Sequence, residues 1–276
     1  MRTSRALSYA RTAILIVAAV YTLIPLLTIA LTVLRSPTDL QNGPFTWPRE
    51  FSPGTNLANA WVGGRFSSYL ANSVIQTLPS VVIVIVTSTL AGFAFAKSRF
   101  QGRDLLFSIL LLGMMIPFQS VMIPQFFLFN RFGMIDTHWA VIMSAGVGGI
   151  PFGTFMMRSF FRGLPDQLLE AARLDGCSEL QAFIRVFMPI ASPAWVALFI
   201  FQSMWSWNNF MGPLVYLFDD SLRPLPLGLM YFSSRYSSDY TLVAAGVLIT
   251  IFPLLILYVV LQRKFVSSIT MGALSG

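Results

Sequence analysis

Residues 164–189 read LPDQLLEAARLDGCSELQAFIRVFMP, the longest charged segment of a chain that is otherwise strongly apolar. The stretch predicts two short helices around a glycine. Pro165 suits a first helical turn, and Asp166 beside it sets a carboxylate against the exposed N–H groups of a helix start. Leu164, Leu168, Ala171 and Ala172 follow at helical spacing. Gly176 stands where a helix ends in a left-handed residue, a backbone that glycine adopts without steric cost. Ser178, with Gln181 three residues on, opens a second helix through a capping box, and Pro189 is expected to close it. An amphipathic pair of this kind can lie on a membrane face without a partner. That reading explains the leucines. It leaves Glu170-Ala171-Ala172 on the outward side, where two methyl-sized residues would let another protein approach closely.

Outward from this unit the chain is a succession of apolar windows. Of its 276 residues, 55% are hydrophobic and 11% charged, where a soluble domain carries about a quarter charged. Six windows hold no Asp, Glu, Lys or Arg: Thr12–Leu34, Phe66–Ala96, Leu105–Asn130, Thr137–Met157, Val186–Phe218 and Tyr240–Gln262. Each exceeds the roughly 20 residues that cross a bilayer as helix. The expected fold is therefore all-α, a polytopic membrane protein of six transmembrane helices, with 164–189 as the loop between the fourth and fifth.

Basic residues fix the expected orientation. With the N-terminus inside, the inner loops hold twelve of the 18 basic residues and five acids; the outer loops hold six of each. The whole net charge of +7 then lies on one face. So the basic balance reports topology rather than nucleic-acid binding, and both termini and the 164–189 loop are expected in the cytoplasm. Arg2, Arg5 and Arg11 precede an apolar run longer than a signal-peptide core and without a small-x-small cleavage site before Arg35, so an uncleaved anchor is expected.

The spacing Glu170-Ala171-Ala172, three residues, Gly176, nine residues, then Val186-Phe187-Met188-Pro189 resembles the EAA loop of binding-protein-dependent ABC importer permeases. The family more often has Ile and Leu where Val186 and Met188 stand. The resemblance implies a cytoplasmic coupling helix that docks into a cleft of a separate ATPase subunit. Glu170 would pair with a basic group there, Ala171 and Ala172 would permit close contact, and Gly176 would set the bend. Asp175 is counted with this ATPase-coupling set.

Other stretches resemble the sugar-importing, maltose-type branch of the same family. They are AGFAFAKSRFQGRD (Ala91–Asp104), PFQSVMIPQFFLFNRFGMIDT (Pro117–Thr137), WNNFMGPLVYL (Trp207–Leu217) and the QRKFV tail at Gln262–Val266. In the tail, Ser268 stands for a frequent glycine and Ser275 for a frequent lysine. Likeness covers nearly everything from Asn72 onward. It divides the chain into 1–71, an anchor helix with an outer loop, and 72–276, the transmembrane domain. It implies a carbohydrate permease in the bacterial inner membrane, with a second homologous permease, two ATPase subunits, an extracytoplasmic solute-binding protein and membrane lipid as partners.

The remaining residues narrow the chemistry. Asn72 and Gln76, four apart, share one helical face and suit interhelical hydrogen bonds. Pro117 and Pro124 are expected to kink the third helix. Gly149 and Gly153 around Pro151 suit close helix packing or a hinge. Gln202, Trp205, Trp207, Asn208 and Asn209 form the most polar intramembrane cluster, and two readings stay open for it. Indoles and amides can hold a sugar without charge; they also bond neighbouring helices and populate interfacial belts. The segment 35–65 reads as a surface loop with Trp47 and Trp61 at the interface, and Asp219–Asp239 as an outer loop, which the resemblance implies faces a solute-binding protein.

His138 is the only histidine and Cys177 the only cysteine, each read as packing rather than as a ligand or nucleophile. No G-x-x-x-x-G-K-[ST] occurs, and the only lysines are Lys97 and Lys264. ATP is therefore expected on a partner, with no cofactor or metal on this chain and no enzyme activity of its own. A permease for glycerol phosphate or a polyol is the nearest alternative. A secondary transporter fits less well, because the windows lack the ionisable groups that ion coupling needs.

Overall fold

Long apolar windows separated by short polar turns leave helix as the form in which a chain can satisfy its backbone without water. The computed structural model describes residues 5–43, 46–236 and 239–274. Among them there is no strand. In order, α1 is Arg5–Leu34, α2 Pro53–Gly63, α3 Phe66–Lys97, α4 Arg103–Leu112, α5 Phe118–Arg131 and α6 His138–Arg162. Two short helices follow, α7 at Gln167–Leu174 and α8 at Glu179–Ala182, then a π-helical stretch at Phe183–Phe187. The rest are α9 at Met188–Ile190, α10 at Ser192–Trp207, α11 at Met211–Tyr216, α12 at Leu225–Arg235 and α13 at Tyr240–Leu274. The chain forms two compact units, one up to Ser67 together with Gly228–Phe252, the other Ser68–Leu227 together with the chain from Pro253 on.

In the first unit the segment after α1 is not the plain surface loop expected from its Pro, Gly and Asn content. It contains α2 and folds back to close the end of α1. Asn56 is buried and its Nδ2 donates to the carbonyls of Val33 (2.8 Å) and Arg35 (2.7 Å), which α1 leaves unpaired. Arg35 is wholly buried and donates to the Gly43 carbonyl at 2.6 Å. Trp47 and Trp61 do face outward.

In the second unit α3 and α6 run parallel. Gln76 meets His138 (3.1 Å), Ser80 donates to the Ile142 carbonyl (3.2 Å) and Ser88 to that of Ile150 (3.2 Å), all at an offset of 62 residues. Glycine makes this approach possible. A Cβ on Gly149 would lie 2.8 Å from Val84 Cγ2, one on Gly153 would strike Ser88, and one on Gly92 would lie 2.6 Å from Met157 Cβ. Gly149 and Gly153 therefore serve close packing.

Two windows depart from the expected unbroken spans. Among the described residues, four helices are long and apolar enough to cross a membrane: Tyr9–Leu34, Phe66–Lys97, His138–Arg162 and Tyr240–Val260. The third window is a bent pair, Arg103–Met115 and Phe118–Arg131, turned by 100°. Pro117, which lacks an N–H and biases the residue before it away from helix, marks the break; Pro124 sits inside α5. The fifth window is a second pair, Glu179–Ile190 and Ser192–Trp207, turned by 76°. Pro189 lies in the last turn of Glu179–Ile190, one residue before the helix ends, and the bend follows at Ala191. Counting each pair as one span gives six.

Candidate functional site

The elbow 164–189 is built by local rules that the chain carries in full. Gly176 has φ +77°, Cys177 N–H donates to the Ala172 carbonyl (3.0 Å) and Gly176 N–H to that of Arg173 (3.0 Å). These are the two bonds of a Schellman ending, with Cys177 folded over Ala172 in the core. Ser178 Oγ accepts from Gln181 N–H (3.3 Å) while Gln181 Oε1 accepts from Ser178 N–H (2.9 Å), completing the capping box. Arg173 spans the turn to Glu179 with two nitrogens, at 2.7 and 2.8 Å.

The elbow is seated on the ends of α3 and α6 by aromatic rings. Phe93 of α3 lies 5.1 Å from Phe183 and 5.0 Å from Phe187, and 5.7 Å from Phe161 of α6. Leu169, Ala172 and Ala182 close the same core. Edge-to-face rings of this kind add to the area they bury and fix orientation. Asp166 does not answer the helix N-terminus as expected, since it makes no cap bond. Its carboxylate takes Lys97 Nζ at 2.6 Å, and Lys97 also donates to the Leu164 carbonyl at 2.6 Å. That hydrogen bond first, and the ammonium charge second, hold the Asp166 carboxyl below the usual carboxylate range.

The five residues of the coupling set divide. Glu170, Ala171, Asp175 and Gly176 are exposed. Ala172 is not outward, as its sequence neighbourhood suggested, but buried against the Phe183 and Phe187 cluster. The reason is helical phase: Leu168, Leu169 and Ala172 turn inward together, which turns Glu170, Ala171 and Leu174 out. Leu174 escaped the sequence reading. It is 89% exposed, a greater share than any other large hydrophobic residue among those described. The signal was present, because Leu174 lies three residues after Ala171 and four after Glu170. Leu174 is thus an exposed apolar knob on the outward face of α7, beside Glu170 and Ala171 and followed in the chain by Asp175 and Gly176.

The polar residues of the fifth window differ in burial: Gln202 is buried, Asn209 half-buried, and Trp205 and Asn208 exposed. Gln202 is buried between α10 and α6, donating to the Ala145 carbonyl (3.3 Å), and its Oε1 is 2.5 Å from where a Gly149 Cβ would be. Asn208 bonds the Met204 carbonyl (2.9 Å) and Asn209 accepts from Gly212 N–H (3.1 Å), so the two amides finish α10 and start α11. Trp205 is exposed and shares a helical stripe with Phe201, Met204 and Asn208.

At the opposite end of α3, Asn72 bonds a loop, while Gln76 bonds both that loop and, as expected, a neighbouring helix through His138 at the start of α6. Asn72 Nδ2 donates to the Ser221 (2.6 Å) and Arg223 (3.0 Å) carbonyls, and Gln76 Nε2 to that of Leu222 (2.9 Å). Ser73 Oγ accepts from Leu225 N–H, and Asp136 Oδ1 from the N–H groups of Phe218 and Asp219. The start of the expected outer loop is thus clasped. The backbone of α13 continues to Leu274, but the side chains of 263–274, where most of the QRKFV tail falls, lie outside the described residues, as does Arg2.

Residues 88–269 match the family model described as "Binding-protein-dependent transport system inner membrane component". The chain is 34% identical over 257 residues to the arabinooligosaccharides transport system permease protein of Halalkalibacterium halodurans, covering 91% of each. It is 30% identical to the diacetylchitobiose uptake system permease protein of Streptomyces coelicolor, covering 94% of this chain and 86% of that one. It is 32% identical to the osmoprotective compounds uptake permease protein of a Synechocystis, covering 95% and 90%. Its fold is that of a chain in the crystal structure of a bacterial ABC transporter involved in alginate import, with a TM-score of 0.82, 24% identity and 96% of this chain covered.

Proposed function

The chain belongs to the family of binding-protein-dependent transport system inner membrane components, and from that premise we propose that it is a permease subunit of an ATP-driven carbohydrate importer. Relatives named for arabinooligosaccharides and diacetylchitobiose support the solute class. Transport would be carried by 72–276, within which the family match lies, while 1–71 supplies an anchor helix and outer segment. A second permease would complete the path, two ATPase subunits would hold and hydrolyse ATP, and a solute-binding protein would deliver the sugar to the face opposite the elbow. Both termini and the elbow would be cytoplasmic, by the distribution of basic residues.

One observation carries this reading: a rigid elbow offers Glu170, Ala171, Leu174 and Asp175 outward while its inner side is locked to α3 and α6 through Phe93, Phe161, Phe183 and Phe187. A force applied at Leu174 moves the elbow, and the elbow cannot move without the ends of both helices. Closure of the ATPases would in this way rock the bundle and alternate access to its centre. Gln202, Trp205, Asn208 and Asn209 contribute to the path chiefly by fixing α10, with Trp205 and Asn208 free to face a solute.

Gly176→Val tests the mechanism. Nothing lies within 4 Å of the added Cβ, so the change acts through the positive φ alone, at a cost of about 1–2 kcal/mol. Membrane insertion should persist while ATP hydrolysis uncouples from uptake. Normal coupled uptake would remove the elbow from the mechanism. A second reading, import of a polyol or related osmolyte, is favoured by the relative named for osmoprotective compounds. The solute retained by the cognate binding protein decides between the two.

A further inference from the structure

Beside the elbow, around the turn between α3 and α4, two arginines meet one carboxylate and two more flank it. Arg158 is fixed in place: its guanidinium lies 3.7 Å from the centroid of the Phe107 ring, Nε donates to the Phe95 carbonyl (3.4 Å) and a terminal nitrogen to Asp104 (3.3 Å). Asp104 also accepts from Arg103 (3.3 Å). Arg99 and Arg162 remain exposed on either side. Two hollows open here. One, of about 460 Å³, is bordered by Arg99, Gly102, Arg103, Leu105 and the paired carboxylate of Asp104; the other, of about 240 Å³, by Phe155, Arg158, Ser159 and Arg162. The Asp104–Arg158 contact joins their walls.

Positive charge is only half of the surface. Leu105, Ile109 and Leu112 line one face of α4 at helical spacing, and all three are exposed, as is Phe155 of α6 next to Arg158. An acidic protein surface would satisfy the arginines but not this apolar flank, which belongs to the third apolar window. A lipid satisfies both, with its headgroup among guanidiniums and its chains along leucines.

We propose that the cleft between the α3–α4 turn and the end of α6 binds the phosphodiester headgroup of an anionic phospholipid, with its acyl chains against the Leu105/Ile109/Leu112 face of α4. Guanidinium–phosphate pairing from Arg99 and Arg162 holds the phosphodiester, and the surrounding positive charge selects an anionic headgroup by repelling the ammonium of a zwitterionic one. The site would fix the α3–α4 turn to the bilayer beside a moving elbow. It rests on reading α3 and α6 as membrane spans and not on the solute carried, so lipid retention can be measured with no transport at all.

The test is native mass spectrometry of the assembled transporter, purified from bilayers of phosphatidylcholine with phosphatidylglycerol. Retention of phosphatidylglycerol is expected to exceed that of phosphatidylcholine, and to fall about tenfold in an Arg99→Gln/Arg162→Gln double variant. Arg158 is left intact because it is packed on Phe107. Arg131→Gln, on the opposite face, should retain lipid as the parent does. Equal retention of the two lipids, or an unchanged double variant that still elutes as a single species, overturns the proposal. So does displacement of the lipid by soluble glycerol phosphate at the same concentration, which would make this a site for a free phosphate ester.

Discussion

Adjacent alanines at 171 and 172 carry opposite duties. Ala171 is exposed beside Leu174, whereas Ala172 is packed under Cys177 against the phenylalanine core. Ala172→Leu overfills that core and should cost about 1–3 kcal/mol, read as a lowered thermal unfolding midpoint in detergent. Ala171→Leu should leave the midpoint within the range of an ordinary surface change, about 0.5 kcal/mol. It should instead lower copurification of the ATPase, because a larger side chain blocks close approach. If the two variants behave alike in both measurements, the phase of α7 is wrong. Gly176, Ser178 and Gln181 could be read from the chain because a Schellman ending and a capping box are closed by residues within a few positions. The direction of Ala172 could not. It is set by Phe93 and Phe161, far away in sequence, which decide which side of α7 turns inward.

Among elements, the junction of α3 with the elbow depends on charge. Pairing with Lys97 lowers the Asp166 pKa, so this pair contributes stability above the ordinary carboxylate value of 3.8 and loses it as pH falls through the lowered one. Lys97→Met should therefore raise the Asp166 titration midpoint toward that ordinary value, followed by carboxyl carbon NMR with Asp166→Asn for assignment. A midpoint that stays put would mean that Lys97 is not the cause. The pairing of α3 with α6 depends on absent atoms. Gly153→Ala brings a methyl group onto Ser88 and should lower the unfolding midpoint, and Ser88→Gly in the same chain should restore much of it. No restoration would point to helix-internal effects of the alanine. Glycine spacing made this contact legible in advance. The breaks in the third and fifth windows were less so, since proline signals a discontinuity but not its size: Pro117 accompanies a 100° turn while Pro124 lies within α5.

Across the whole molecule, charge and geometry bear on the same question from different sides. Lys97, Arg158 and Arg162 end α3 and α6 at the elbow, whereas Asn72, Gln76 and His138 mark the other ends beside a clasped loop. Because α3 and α6 run parallel, one assignment of sidedness fixes both ends of the second unit. On the orientation proposed from the excess of basic residues, the elbow would lie inside. With a single cysteine in the chain, Cys177→Ala gives a cysteine-free background; the site is a packed one beside Ala172, so a methyl group there is a small loss. Leu174→Cys and Ser221→Cys then place one thiol on the exposed knob and one on the exposed loop at the far end. A membrane-impermeant maleimide should label Ser221→Cys from outside intact spheroplasts and Leu174→Cys only in inverted vesicles. The reverse pattern would set the elbow on the face where a solute arrives, and no ATPase could reach it. Addition of the ATPase subunits to the inverted vesicles should protect the thiol at 174 and leave the one at 221 untouched, since docking buries the knob. Labelling at 174 that is indifferent to those subunits would separate the two propositions, keeping the topology and discarding the contact.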